Sequence, residues 1–168
     1  MSVYTQSQID ELISMPKVIA QPPKRVWDEE RGSFRNEMAL TSEDGTQSFT
    51  VFMRRNRDFP ENFSVGLCYW PRDSARSIDL MRCNGPHGDI NRTRNPSNHF
   101  MYHIHRADAE LLNAGLDPLG HSKVTTEYAS DREGIVYFCR KTSVRDFEKY
   151  FPANVQMDFT HELPQGDA

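Results

Sequence analysis

The stretch from Phe34 to Met53, FRNEMALTSEDGTQSFTVFM, decides the fold. Phe34, Met38 and Leu40 sit at even spacing with Asn36 in register. After Glu43-Asp44-Gly45-Thr46, the residues Phe49, Val51 and Met53 alternate in the same way. Successive side chains of a strand point to opposite faces, so an apolar set with a period of two predicts a strand with one buried face. Asp-Gly between two such runs reads as a hairpin turn. The same period continues outward. Phe63, Val65, Leu67 and Tyr69 alternate, and so do Ile78 and Leu80 after the turn from Trp70 to Arg76. Four strands joined by short connections make an antiparallel meander the economical arrangement. Phe100 to His105 reads as a fifth strand.

Helical signals lie at the two ends. Thr5-Gln6-Ser7-Gln8 fits a capping box, Ile9, Leu12 and Ile13 form a stripe at helical spacing, and Pro16 ends it. Residues 16–24 hold three prolines and read as an extended lead-in. A short helix is expected from Asp108 to Ala114, closing at Gly115. Ser130-Asp131-Arg132-Glu133 is a second capping box, opening a helix with Ile135, Phe138 and Cys139 on its apolar face. Phe147, Tyr150 and Phe151 repeat the helical spacing. The expectation is a single α+β domain over residues 1–168. It comprises an N-terminal helix and lead-in (1–24), an antiparallel meander sheet of about five strands (33–105), a helical part (106–151) packed with the first helix on one face, and a tail (152–168).

Composition narrows the function classes. At 168 residues the length suits one domain, and 37% hydrophobic with 11% aromatic residues is too apolar for a disordered chain. The apolar run from Val65 to Trp70 falls far short of the roughly 18 residues of a spanning helix. The N-terminus lacks the pattern of a secretory signal, and Cys68, Cys83 and Cys139 form no CxxC pair. Buried thiols in a cytoplasmic protein are the expectation. No Walker loop, GxGxxG or GxSxG motif is present, which removes support for nucleotide triphosphatases, Rossmann enzymes and α/β-hydrolases.

The net charge of −4 is unevenly spread. Residues 54–106 contain nine arginines, no lysine and five acids, a local surplus of +4, while the rest of the chain carries −8. Four of the six histidines lie in the basic stretch. Arginine forks match phosphate oxygens in pairs, so RNA is a candidate partner, with arginines rimming a sheet and pairing with nearby acids as the plainer alternative.

The chemistry-bearing motif is Asn84-Gly85-Pro86-His87, followed after fifteen residues by His103-Ile104-His105. On a strand His103 and His105 share a face, and antiparallel pairing of the strands on either side of the turn brings His87 toward them. Three uses compete. In the first, the imidazoles serve as acid and base, with Arg82 or Arg106 binding phosphate and Asn84 holding the turn. Such a set suits metal-free RNA cleavage, which needs a base, an acid and a cation. In the second, His87, His103 and His105 ligate a metal. In the third, His103 and His105 only hydrogen-bond loop carbonyls. No cofactor is expected under the first use. His99, His121 and His161 read as surface residues, and Tyr102 as core.

Arg82, Asn84, Pro86, His87, His103 and His105 carry a resemblance. In these residues and in element order over residues 33–145, the chain resembles a loose group of small bacterial and phage-associated proteins, the TumE-like group, some of them toxin components of toxin–antitoxin pairs. The longer loop from Gly88 to Asn98, the N-terminal helix and the C-terminal extension depart from that pattern. The resemblance implies a toxin-like protein of a mobile-element system. The first expectation is therefore a metal-independent ribonuclease using His87, His103 and His105 as acid–base groups and Arg82, Arg106 and Asn84 as substrate contacts. The alternatives are a non-catalytic phage-encoded binding protein with a protein partner, such as an antitoxin or a host defence protein, and a small histidine-ligated metalloenzyme.

Overall fold

Leu40 stands opposite Phe49, Met38 opposite Val51 and Asn36 opposite Met53, so the alternation between Phe34 and Met53 is the register of a hairpin. Asp44 closes its turn by accepting from Ser42 Oγ at 2.7 Å, from the Thr46 N–H at 3.0 Å and from Thr46 Oγ1 at 2.8 Å. These hydrogen bonds hold the Asp44 carboxyl down at about 2. Gly45 follows at φ +73°, a region where a side chain is strained.

The computed structural model describes residues 3–87 and 100–152. Helix α1 (Gln6–Ser14) is followed by strands β1 (Lys17–Gln21), β2 (Asp28–Glu30), β3 (Ser33–Ser42), β4 (Ser48–Asn56), β5 (Phe63–Trp70), β6 (Ile78–Asn84) and β7 (His103–Arg106). Then come α2 (Ala109–Asn113), β8 (Ser122–Val124), α3 (Asp131–Lys141) and a 3₁₀ turn at Phe147–Lys149. The strands form one antiparallel sheet in the order β1-β3-β4-β5-β6-β7-β8, with β2 pairing the start of β3. The class is α+β, as the sequence implies.

Among the described residues there are eight strands rather than about five. Strand β1 lies in the expected lead-in and pairs with the second half of β3. It sits at an edge, where a run this short flanked by Pro16 and Pro22 can still pair on one side. Strands β2 and β8 have three residues each, too few for a period to register. Strand β7 begins at His103 rather than at Phe100, and Phe100 and Met101 are exposed. Residues 88–99 and 153–168, including most of the expected tail and His99 and His161, lie outside the described residues. Among those described, no helix is long and apolar enough to cross a membrane.

Register divides the sheet into two faces. One carries Met38, Leu40, Val51, Met53, Phe63, Val65, Leu67 and Cys83, all buried, and α1 and α3 pack on it through Ile9, Leu12 and Ile13 and through Ile135, Phe138 and Cys139. Both expected N-caps are present. Thr5 and Gln8 form the reciprocal pair; Ser130 Oγ accepts from the Glu133 N–H, but the Glu133 carboxylate accepts from the Ala129 N–H at 2.8 Å instead of from Ser130, so the second capping box is only half formed. Asp108 caps α2 in the same way. The core also holds one lysine. Lys17, fully buried, donates from Nζ to the carbonyls of Ile13, Met15 and Thr142 at 2.8, 2.9 and 2.9 Å and lies 4.9 Å from the Phe49 ring centre. Those carbonyls belong to the C-terminal ends of α1 and α3, where the helix dipoles favour a cation. Burial nonetheless pushes the Lys17 ammonium down to about 7.

The opposite face is polar. Two cross-strand rows run along it side by side: Arg35–Arg54–Ser64–Asn84–His103 and Glu37–Phe52–Gly66–Arg82–His105. This face carries the site.

Candidate functional site

The β6–β7 ladder aligns the motif residues. Asn84 stands opposite His103 and Arg82 opposite His105, so all four project from the same face. The chain after Asn84 turns sharply and brings His87 back over the strand ends. Gly85 makes this possible. A Cβ at Gly85 would lie 1.7 Å from the Glu61 carbonyl oxygen, so no other residue fits without moving that backbone. The Gly85 N–H in turn donates to the Phe63 carbonyl at 3.0 Å.

The result is a row of three imidazoles. The His87 and His103 ring centres are 5.2 Å apart, and those of His103 and His105 are 5.1 Å apart with the rings nearly perpendicular. His103, in the middle, is fully buried, while His87 and His105 are partly exposed. Backbone carbonyls set the orientation of two of the rings. His103 Nδ1 lies 2.7 Å from the Met101 carbonyl oxygen, and His105 Nδ1 lies 2.8 Å from that of Leu119 and 3.1 Å from that of His121. A carbonyl only accepts, so Nδ1 carries the hydrogen in both rings and Nε2 is the nitrogen that gains or loses a proton.

Tyr128, which the sequence reading passed over, holds the strand ends that carry the row. Its buried hydroxyl accepts from the Asn84 N–H at 3.1 Å and donates toward the carbonyls of His103 at 2.7 Å and Asn84 at 3.1 Å. Its ring packs against Phe63, Tyr102 and Tyr137, and burial pushes the phenol well above its ordinary range. The only sequence signal was a lone aromatic before a capping box.

The expected phosphate contacts separate. Arg82 stays on the histidine face beside His105. Its guanidinium lies 5.4 Å from the Phe52 ring centre and 3.7 Å from the Asp79 carboxylate, and its buried Nε has no hydrogen-bond partner among the described residues. Arg106 does not join the cluster. It pairs in register with Met81, which puts it on the helix-covered face, and its guanidinium meets the Asp10 carboxylate of α1 at 3.1 Å. A four-residue strand alternates, so Arg106 following His105 had to face away. Asn84 is pinned through its backbone, and its buried side-chain oxygen has no hydrogen-bond partner among the described residues. Tyr102 packs on the core side against Phe63 and Tyr128.

Most of the basic cluster 54–57 is committed to the scaffold. Arg55 lies 3.3 Å from Asp131 at the start of α3, and Arg57 meets Glu29 at 2.9 Å and Asp58 at 3.3 Å. Among the described residues no group of three or more His, Cys, Asp or Glu side chains converges as a metal-ligand set. No protein-family model, curated protein or solved structure matches the chain.

Proposed function

We propose that this protein is a small toxin-like ribonuclease that cleaves RNA without a metal, with imidazoles as acid and base. The observation that supports this most is the contiguous His87–His103–His105 row, with His103 and His105 oriented by backbone carbonyls one strand away from Arg82. His105 Nε2, beside Arg82, takes the proton from a ribose 2′-hydroxyl. The 2′-oxygen attacks the adjacent phosphorus, the bond from phosphorus to the 5′-oxygen breaks, and protonated His87 returns a proton to that leaving oxygen. The products are a 2′,3′-cyclic phosphate and a free 5′-hydroxyl. Arg82 faces the charge that develops on the phosphoryl oxygens. His103 is buried between the other two rings and acts as a positioning residue for them. The resemblance to the TumE-like group supports a cytoplasmic toxin role with an antitoxin as partner.

A second reading has its own support. His103 and His105 both use Nδ1 on backbone carbonyls, as purely structural histidines do, and this fits a non-catalytic binding protein. One experiment separates the two. Purified protein is incubated with labelled RNA in excess chelator beside a His103→Ala/His105→Ala variant. Cleavage by the wild type alone is the expected result. Equal cleavage by both, or none by either, ends the ribonuclease reading.

A further inference from the structure

Beyond Arg82, the one lining residue that the proposed cleavage also uses, the polar face of the sheet opens into a groove of about 440 Å³ lined by Lys24, Arg35, Glu37, Phe52, Arg54 and Arg82 among others. Three of its features are unusual for a solvent-facing sheet surface.

Phe52 is a half-buried aromatic whose ring lies on the backbone of Gly66, the residue opposite it on β5. A Cβ at Gly66 would meet Phe52 Cε1 at 2.2 Å, so the glycine is what lets the ring lie there. The Arg82 guanidinium stacks at 5.4 Å from the ring centre. An aromatic ring with a guanidinium beside it offers the kind of surface on which nucleobases stack.

Arg35 and Arg54 stand directly opposite each other on β3 and β4. Like charges in that position oppose strand pairing, and an anion seated between them adds to what Glu30 already offsets on Arg35. The Arg54 plane is fixed by donation to Asn62 Oδ1 at 2.8 Å and Ser33 Oγ at 3.2 Å. Of the acids in the groove, Asp28 pairs with Lys24 and Glu30 lies 3.8 Å from Arg35.

Glu37 remains, exposed and directly opposite Phe52. A carboxylate accepts two parallel hydrogen bonds. Among the RNA bases, guanine alone offers two adjacent N–H donors, at N1 and N2, on its Watson–Crick edge.

We propose that this groove is a guanine-nucleotide subsite, with the base stacked on Phe52, its donor edge on Glu37 and its phosphate between Arg35 and Arg54. As a specificity site for the RNA substrate it rests on the ribonuclease reading. Phe52 is three strands from His105, about 14 Å at the spacing of paired strands, so the bound guanosine is a neighbour of the scissile nucleotide and not its base.

Binding is measured without catalysis, by calorimetric titration with each of the four nucleoside monophosphates. The expected result is that guanosine monophosphate binds at least tenfold more tightly than the adenosine, cytidine and uridine forms. Glu37→Gln abolishes the preference, and Phe52→Leu, which retains an apolar side chain over Gly66 but removes the ring, weakens all four at least fivefold. Thermal melts matching the wild type establish that both variants are folded, and Glu37→Gln, at an exposed position, carries the test if Phe52→Leu melts early. No preference for guanosine, or a preference unchanged in Glu37→Gln, overturns the proposal. Guanosine binding without RNA cleavage keeps the subsite and rejects the ribonuclease. Cleavage without guanosine preference does the reverse.

Discussion

Arg82 and His105 stand directly opposite each other across the β6–β7 ladder, and both point away from the helices. Arg106, one residue further on, points toward them and pairs with Asp10. Truncating the two arginines therefore has different consequences. Arg82→Ala lowers RNA cleavage by about a hundredfold, the usual scale for losing one donor to a developing oxyanion. Arg106→Ala leaves cleavage unchanged and shifts stability by no more than about 1 kcal/mol, as for an exposed ion pair. Single-turnover rates and urea midpoints check both.

Tyr128 holds the backbone from which Asn84 and His103 project. Tyr128→Phe strips a buried hydroxyl from the three backbone groups it serves, and the expected cost is about 1–3 kcal/mol in urea unfolding. Cleavage measured on the folded fraction falls as well, because the His103 backbone loses its anchor. A variant that is both fully stable and fully active would remove Tyr128 from the site.

Gly85 closes against Glu61. Gly85→Ala forces backbone to move, since the clash is with a carbonyl oxygen and not with a flexible side-chain end. The expected outcome is a lower melting temperature together with displaced His87 ring resonances in NMR spectra, the other histidines moving less.

Lys17 gives the fold a pH dependence. Its folded value, pushed down to about 7 by burial, lies below its ordinary value of 10.5, so the unfolded chain holds the proton over a range where the native state has released it. Stability from this group therefore rises between pH 7 and pH 10.5, at no more than about 1.4 kcal/mol per pH unit. Cys68 and Cys83, pushed up to about 12, work in the opposite sense above pH 9, where the unfolded chain ionises first. The urea midpoint is thus expected to rise from pH 7 to pH 9 in the wild type and to stay flat in Lys17→Met, which also starts lower because three carbonyls lose their donor.

The same burial protects the thiols. Cys83 and Cys139 are buried and Cys68 donates to Asp79 from a half-buried position, and all three are held protonated. At pH 8 a disulfide reagent reacts slowly with the native protein and rapidly with three thiols in denaturant. Fast reaction of any native thiol would contradict this packing.

The sequence by itself determined the elements whose signals are local. The hairpin from Phe34 to Met53 has its period and its Asp-Gly turn within twenty residues. The caps at Thr5 and Ser130 need only three or four. The shared face of His103 and His105 follows from spacing alone. Tertiary structure decided what depends on partners distant in the chain. Whether β1 and β8 exist rests on the edges offered by β3 and β7. Arg106 and Arg82 separate because strand register assigns them opposite faces. His103 becomes the buried middle of the row because Gly85 lets the chain fold back and Tyr128, 25 residues away, ties down its carbonyl. The groove of Phe52, Glu37, Arg35 and Arg54 belongs to two strands whose side-chain pairing exists only once the sheet has formed. A period can be read along one strand, but the neighbour a residue faces is fixed by hydrogen bonds to another.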